Sequence, residues 1–216
     1  MSASPVPGPP HERLIVYIDG FNFYHGMHDK FGRSTLWIDF VSLAQSLRPR
    51  SHIVAVKYFT APVLGDAGAA SRQAYHQAAV AARHINVFSV TQGRYQAKTV
   101  TCFNCRATRT VHEEKETDVN IAVALVGDAA ANAMDSALII SADSDLAPAV
   151  RAAKQFRPHM FIGAAFPPKR FSSELKQLMP ASSQIGRDKI RQALLPERFT
   201  VGATTYYSHL ALGPGV

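Results

Sequence analysis

The sequence predicts a doubly wound α/β domain on a mainly parallel sheet, and three observations carry that prediction. Short apolar runs alternate with helix-length segments along most of the 216 residues. Two of the runs, Leu14-Ile15-Val16-Tyr17-Ile18 and Ala137-Leu138-Ile139-Ile140, are apolar at every position, as in strands covered on both faces. Both lead into aspartate: Asp19 directly after the first, Asp143 and Asp145 just past the second. In an open parallel sheet, ligands bind beyond the carboxyl ends of the strands.

Residues 1–12, rich in Ser, Pro and Gly, are expected to form a disordered tail. Arg13 to Asp19 is the first buried strand, and Phe21 to Phe31 a loop or short helix lying over its end. Ile38 to Leu47 reads as a helix stopped near Arg48-Pro49. His52 to Thr60 alternates and carries β-branched residues, giving a second strand. Gly65 to Ser71 reads as a loop, Arg72 to Arg83 as an Ala/Gln-rich helix and Ile85 to Thr91 as a short strand. Residues 92–112 are polar, basic and β-prone, and predict an inserted hairpin. Glu116 to Ala131 is the next helix and Ser136 to Ser141 the next strand. Asp145 to Phe156 tolerates Pro148 because a first turn needs no proline N–H. His159 to Ala164 is the last core strand and Ser172 to Leu178 a short helix. The expected domain spans 13–180, with 181–216 a C-terminal extension.

Two cysteines are too few for a disulfide framework, and no apolar run is long enough to span a bilayer. Without a basic start or an apolar stretch, the N-terminus is not expected to be a secretory signal, so the cytoplasm is the expected location. There are 23 Lys+Arg against 16 Asp+Glu. If four aspartates gather in one pocket, those 23 bases face only 12 remaining acids. A basic surface around an acidic hole suits a phosphodiester substrate: cations hold the backbone while metal ions meet the reacting phosphate. The competing account is solubility, for which this net charge is ordinary.

Each acid also has an ordinary role open to it. Asp19-Gly20 and Asn22 are turn formers. Thr117 can cap a helix whose positive end Asp118 then favours. One of Asp143 and Asp145 is expected to cap the helix that follows. Yet Asp118 shares a helical face with Ile121, Ala122 and Leu125, where an uncompensated carboxylate is costly. Crowded carboxylates raise one another's pKa unless a cation neutralises them, and oxygen ligands suit Mg²⁺ or Mn²⁺. Together the acids favour a metal-dependent enzyme.

Three motifs in order, Asp-Gly-x-Asn after the first strand, Glu-Lys-x-x-Asp-Val before a helix and Ser-x-Asp-Ser-Asp after a late strand, resemble the NYN domain. NYN is a PIN-like nuclease family, and the likeness is to its bacterial LabA-like (DUF88) branch over about Arg13 to Phe166. The resemblance implies a Rossmann-like three-layer α/β/α sandwich, Mg²⁺ or Mn²⁺ held by acids, and cleavage of RNA. Carried over by motif, Asp19, Asp118, Asp143 and Asp145 are the catalytic and metal-binding acids. Asn22 supports the first of them, with Ser141 and Ser144 beside the others. Ala142 stands where the family often has glycine, and Leu146 where Phe is frequent; neither change removes a ligand.

Lys115, beside Asp118, either holds the scissile phosphate or is a solvated helix-entry charge. Arg106, Arg109, Lys169 and Arg170 are further candidate phosphate contacts. Basic residues interleaved with Tyr95 and Phe103 in the insert suit single-stranded RNA, and suit a solvated protrusion or a dimer arm equally. Cys102-x-x-Cys105 is half of a zinc knuckle, with His112 a candidate third ligand and a partner chain in a homodimer a candidate source of more. The favoured alternative is a pair of free thiols at a hairpin tip, without Zn²⁺. His25 and His28 lie near the Asp19 loop, where they either approach substrate or serve no specific role. No Walker or Gly-x-Gly-x-x-Gly loop calls for a nucleotide cofactor.

The expected function is a metal-dependent ribonuclease; the alternative is a catalytically silent RNA-binding or regulatory protein with the same fold. An aspartyl phosphatase of the haloacid dehalogenase type ranks lower. It usually wants a second Asp two positions after the first, and Phe21 stands there.

Overall fold

The structure, a computed structural model, describes residues 12–208. The expected N-terminal tail lies outside them except for Glu12, whose carboxylate accepts hydrogen bonds from Arg48 and Ser51. The strands are β1 (Arg13–Asp19), β2 (His52–Thr60), β3 (Phe88–Gln92), β4 (Arg94–Thr101), β5 (Thr108–Lys115), β6 (Ser136–Ile140), β7 (Phe161–Phe166), β8 (Ser183–Gln184), β9 (Arg198–Val201) and β10 (Thr204–Tyr207). The helices are α1 (Gly20–Phe31), α2 (Phe40–Leu47), α3 (Ala67–Arg83), α4 (Thr117–Ala130), α5 (Ala147–Phe156), α6 (Ser173–Leu178) and α7 (Arg187–Gln192).

Six strands pair in parallel in the order β3-β2-β1-β6-β7-β8. From β1 the chain steps outward through β2 and β3, and from β6 outward the other way through β7 and β8. Right-handed crossovers therefore put the helices of the two halves on opposite faces. Leu14, Val16 and Ile18 of β1 pack with residues of α1, α2, α3 and α7 on one face. Ile15 and Tyr17 pack with residues of α4, α5 and α6 on the other. The expected three-layer α/β/α sandwich is present, and so is the hairpin, formed by antiparallel β4 and β5.

Two of the boundary differences come from capping side chains. The helix expected at Ile38 starts at Phe40, because the Asp39 carboxylate accepts from the Val41 and Ser42 N–H groups while Ile38 bridges to Leu194. The helix expected from Arg72 starts at Ala67, where Asp66 accepts from the Ala69 N–H. The strand expected at Ile85 starts at Phe88, after Asn86 takes a left-handed φ of 66°. A 3-10 turn, Ser144–Leu146, precedes the helix expected at Asp145, and Pro148 lies in the first turn of α5 as anticipated. The last long strand is Phe161–Phe166, two residues later than read from sequence. Within 181–208, β8 joins the sheet edge and α7 packs on α2, while Pro196 O accepts from the Trp37 ring N–H.

Asp39 is 2% exposed and also takes His84 Nε2 at 2.8 Å and Arg83 Nε at 3.2 Å. Burial pushes its pKa up, but the His84 and backbone hydrogen bonds outweigh burial and hold it below the usual value. Its stabilisation is thus present above the ordinary Asp pKa and is lost as pH falls through the depressed one. Asp39→Ala removes a helix cap and leaves His84 without this partner. It should lower unfolding free energy by about 2–4 kcal/mol at pH 7, read by urea denaturation. A loss under about 0.5 kcal/mol would show that water replaces the carboxylate.

Candidate active site

The sheet's order reverses between β1 and β6, and ligands bind at such a switch point. Period-two alternation puts Asp19 on the same face as Ile15 and Tyr17, towards α4 and α5. Ile18 pairs with Ile140, so Ser141 follows alongside Asp19, and its hydroxyl donates to Asp19 Oδ2 at 2.8 Å. The Asp143 N–H donates to the same hydroxyl at 3.0 Å, and the Asp145 N–H to Asp143 Oδ1 at 2.9 Å. Asn22 closes the network: its N–H donates to Asp19 Oδ1 at 3.0 Å and its Oδ1 accepts from the Ala142 N–H at 3.1 Å. Gly20 is required here, because a Cβ would lie 2.7 Å from the Phe59 carbonyl and 2.8 Å from the Tyr58 ring.

Carboxylate oxygens of Asp19, Asp118 and Asp143 all lie within 4.8 Å of one another. Asp19 is buried at 4% exposure, while the other two remain accessible from the cleft. Asp145 is exposed and outside this trio, although its charge still reaches Asp118. A cleft of about 330 Å³ is lined by the three acids with Phe21, Asn22, His25, Glu114, Thr117 and Arg170. Among the described residues, no ion pair reaches any of the three acids. Burial, followed by the neighbouring carboxylates of Asp19, Asp143, Glu114 and Asp145, pushes Asp118 up to about 6. Burial is also the main cause that raises Asp19, against the lowering effect of its Asn22 and Ser141 hydrogen bonds. An all-oxygen donor set, negatively charged and without a counter-ion, fits a hard divalent cation.

The other expected site residues are dispersed. Lys115 pairs with Glu113 at 3.1 Å and does not line the cleft. Arg106 and Arg109 are exposed near the tip of the β4–β5 hairpin, and Lys169 is exposed with a left-handed φ of 57°. Of the five candidate phosphate contacts, Arg170 alone lines the cleft, with Asp29 as its partner at 2.6 Å. Ser144 is exposed in the 3-10 turn. His112 sits opposite Ala97 within the hairpin, away from the two cysteines. Thr117 is the first residue of α4 rather than its cap. The buried stripe is Thr117, Ile121, Leu125 and Ala129, so Asp118 flanks the stripe instead of heading it. Glu114 opens the Glu-Lys-x-x-Asp motif and enters the cleft, yet no role was visible for it in sequence. It accepts from both the N–H and the hydroxyl of Thr117.

The pattern of the NYN domain family matches residues 13–181. A 6-hydroxy-3-succinoylpyridine 3-monooxygenase of Pseudomonas putida is 28% identical over 172 residues, 64% of this chain. The chain spans about half of that relative's length, the match covering 54% of it. A solved structure of a protein of unknown function from Vibrio parahaemolyticus superposes with a TM-score of 0.59 at 18% identity, over 85% of this chain and 98% of its own, and supports the fold.

A group whose folded pKa is raised contributes stability that is complete below the unfolded value and lost as pH rises through the folded one. Without metal, Asp118 should therefore cost the fold stability as pH climbs from about 4 through about 6. Asp118→Asn should melt a few degrees above the parent at pH 7.5 without metal. Mn²⁺ should raise the parent's melting temperature more at pH 7.5 than at pH 5, and the variant's much less at either. Equal metal stabilisation of parent and variant would remove Asp118 from the ligand set.

Proposed function

Because the chain belongs to the NYN domain family, within the PIN-like superfamily, we propose that it is a metal-dependent ribonuclease that hydrolyses RNA phosphodiester bonds in the Asp19–Asp118–Asp143 cleft. The observation that carries this reading is the trio of carboxylates within 4.8 Å of one another, none of them in an ion pair among the described residues. Asp19, Asp118 and Asp143 would hold Mg²⁺ or Mn²⁺. When bound, such an ion supplies positive charge to the phosphate and makes water acidic enough to serve as nucleophile near neutral pH.

The chain's own residues do the positioning. The Ser141 hydroxyl and Asn22 N–H fix the Asp19 carboxylate on both oxygens. Asn22 also ties the loop after β6 to α1, so the Asp143 backbone is held relative to Asp19. Asp145, exposed beside the trio, orients the attacking water in this reading. Arg170 at the rim takes a phosphate in exchange for Asp29. Phe21 and His25 stack on each other at the cleft, and Tyr24 and His28 stack one turn on. These rings offer flat faces to unpaired bases, and stacking of that kind is tolerant of sequence. On the hairpin, Arg94 and Lys98 pair with Glu116 and Glu113, and exposed Arg106 and Arg109 near the tip would offer further phosphate contacts.

A 5′-labelled mixed-sequence RNA should be cut with Mg²⁺ or Mn²⁺ and stay intact with chelator. Asp143→Asn should lose at least about 100-fold of the cleavage rate while RNA binding persists. Ser141→Ala should lose about 10–100-fold through a loosened Asp19, and should melt a few degrees lower because a buried carboxylate oxygen loses its donor. Phe21→Ala should weaken single-stranded RNA binding by about 1 kcal/mol or more, read as KM, and leave duplex binding nearly unaltered. Uncut RNA retained by parent and Asp143→Asn alike would favour the silent RNA-binding reading. The similarity to a pyridine-derivative monooxygenase gives a second reading, oxygenation of a small aromatic substrate. Turnover of 6-hydroxy-3-succinoylpyridine without RNA cleavage would favour it.

A further inference from the structure

We propose that the tip of the β4–β5 hairpin is half of a zinc site, completed by the same tip of a second copy of this chain, so that one Zn²⁺ is held by Cys102 and Cys105 of each. The turn is built tightly. The Cys102 N–H donates to Ala107 O at 2.9 Å, the Arg106 N–H donates to Cys102 O at 2.9 Å, and Arg106 takes a left-handed φ of 55°. Within that turn the backbone N–H groups of Cys105 and Asn104 face the Cys102 sulfur, and the Cys105 thiol bonds to it. Two sulfurs on one side of a turn, one of them receiving backbone N–H groups, form a two-coordinate metal clip. Two cysteines spaced C-x-x-C within one turn are a recurrent half-site for tetrahedral zinc.

Among the described residues, nothing completes this site within one chain. A structural zinc takes four ligands in a tetrahedron, and the sequence holds two cysteines in all. His112 is paired with Ala97, five residues before Cys102 along β4, which places it on the order of 16 Å from the tip. The carboxylate trio is the sole grouping of three His, Cys, Asp or Glu side chains close enough for a metal among the described residues. A two-fold axis through the tip supplies the missing pair, because an isologous contact brings the same two residues from the other copy. The surface is open to such a contact. Both cysteines are exposed, and Phe103 between them is fully exposed at 102%, an aromatic ring that the chain itself leaves uncovered. In a tip-to-tip pair, the two Phe103 rings shield the metal and each other from water.

The test uses the full chain, free of any affinity tag and purified under reducing conditions with equimolar Zn²⁺. Metal content is measured by elemental analysis and mass by light scattering. The expected result is about one zinc per two chains in a dimer. A strong chelator, or Cys102→Ser with Cys105→Ser, should convert the dimer to a zinc-free monomer. The circular dichroism and the Mn²⁺ thermal shift should stay as in the parent, which separates this site from the carboxylate cleft. Co²⁺ in place of zinc should give the intense sulfur-to-metal absorption of four thiolates, absent from the double variant. A zinc-free monomer, one zinc per monomer, a dimer that survives both treatments or a Cys102–Cys105 disulfide under these conditions would each overturn the proposal. None of these readouts depends on RNA cleavage.

Discussion

The architecture turns on one costly group, the Asp19 carboxylate, buried where the strand order of the sheet reverses. An acid at 4% exposure, with no ion pair among the described residues, destabilises the fold unless hydrogen bonds replace lost water. Here they come from the Ser141 hydroxyl on one oxygen and the Asn22 N–H on the other. Those bonds demand close approach: β1 beside β6 in register, α1 entered at once, and no side chain at Gly20. The neighbourhood is therefore shaped by the need to hold Asp19, and the two packed faces of β1 supply the rigidity to do it.

In sequence, capping and metal binding look like rival explanations of these aspartates, but the structure shows that one carboxylate can do both. Asp19 caps α1 and Asp143 caps the 3-10 turn through the Asp145 N–H. A carboxylate has about four lone-pair sites, so one or two backbone bonds leave capacity that points into the cleft. β1, β6 and the acids that end β1 and follow β6 were legible because strands buried on both faces leave unbroken apolar runs that stop where the polar site begins. The start of α3 was not legible, because a single capping aspartate, Asp66, pulls an apparent loop into the helix. Residues 181–208 showed no strong period because β8 is two residues long and α7 six.

Site residues on the hairpin were read less well for a related reason. On β5, successive side chains point to opposite sides, so Lys115 joins Glu113 on one side while Glu114 turns into the cleft on the other. Sequence shows that the positions are adjacent but does not show which faces the site. The base of the hairpin is fixed by Gly93, where a Cβ would lie 2.8 Å from both the Lys115 carbonyl and the Thr117 hydroxyl. Glu116, with a left-handed φ of 80° and an ion pair to Arg94, then turns the strand directly into α4. Asp118 thus owes its position to the base of the hairpin as well as to the helix.

Three negative charges in one cleft need some compensation even before a cation arrives, and a lysine in their midst would supply it only by competing with that cation. The βα topology supplies another kind. Strand carboxyl ends and helix amino ends meet at the same edge of the sheet, so α1 opens at Asp19, α4 carries Asp118 in its first turn, and the turn leading into α5 opens at Asp143. Each helix start presents roughly half a positive charge, and N–H groups there donate to Asp19, Glu114 and Asp143. That field offsets part of the repulsion without occupying the space among the carboxylate oxygens. It does not offset all of it, since Asp118 is still pushed up to about 6, chiefly by burial and then by its acidic neighbours. The residual cost is what a divalent cation would relieve: the more repulsion the helix starts leave uncancelled, the more a bound ion would stabilise the protein. A cleft neutralised by its own side chains would fold better and bind metal worse.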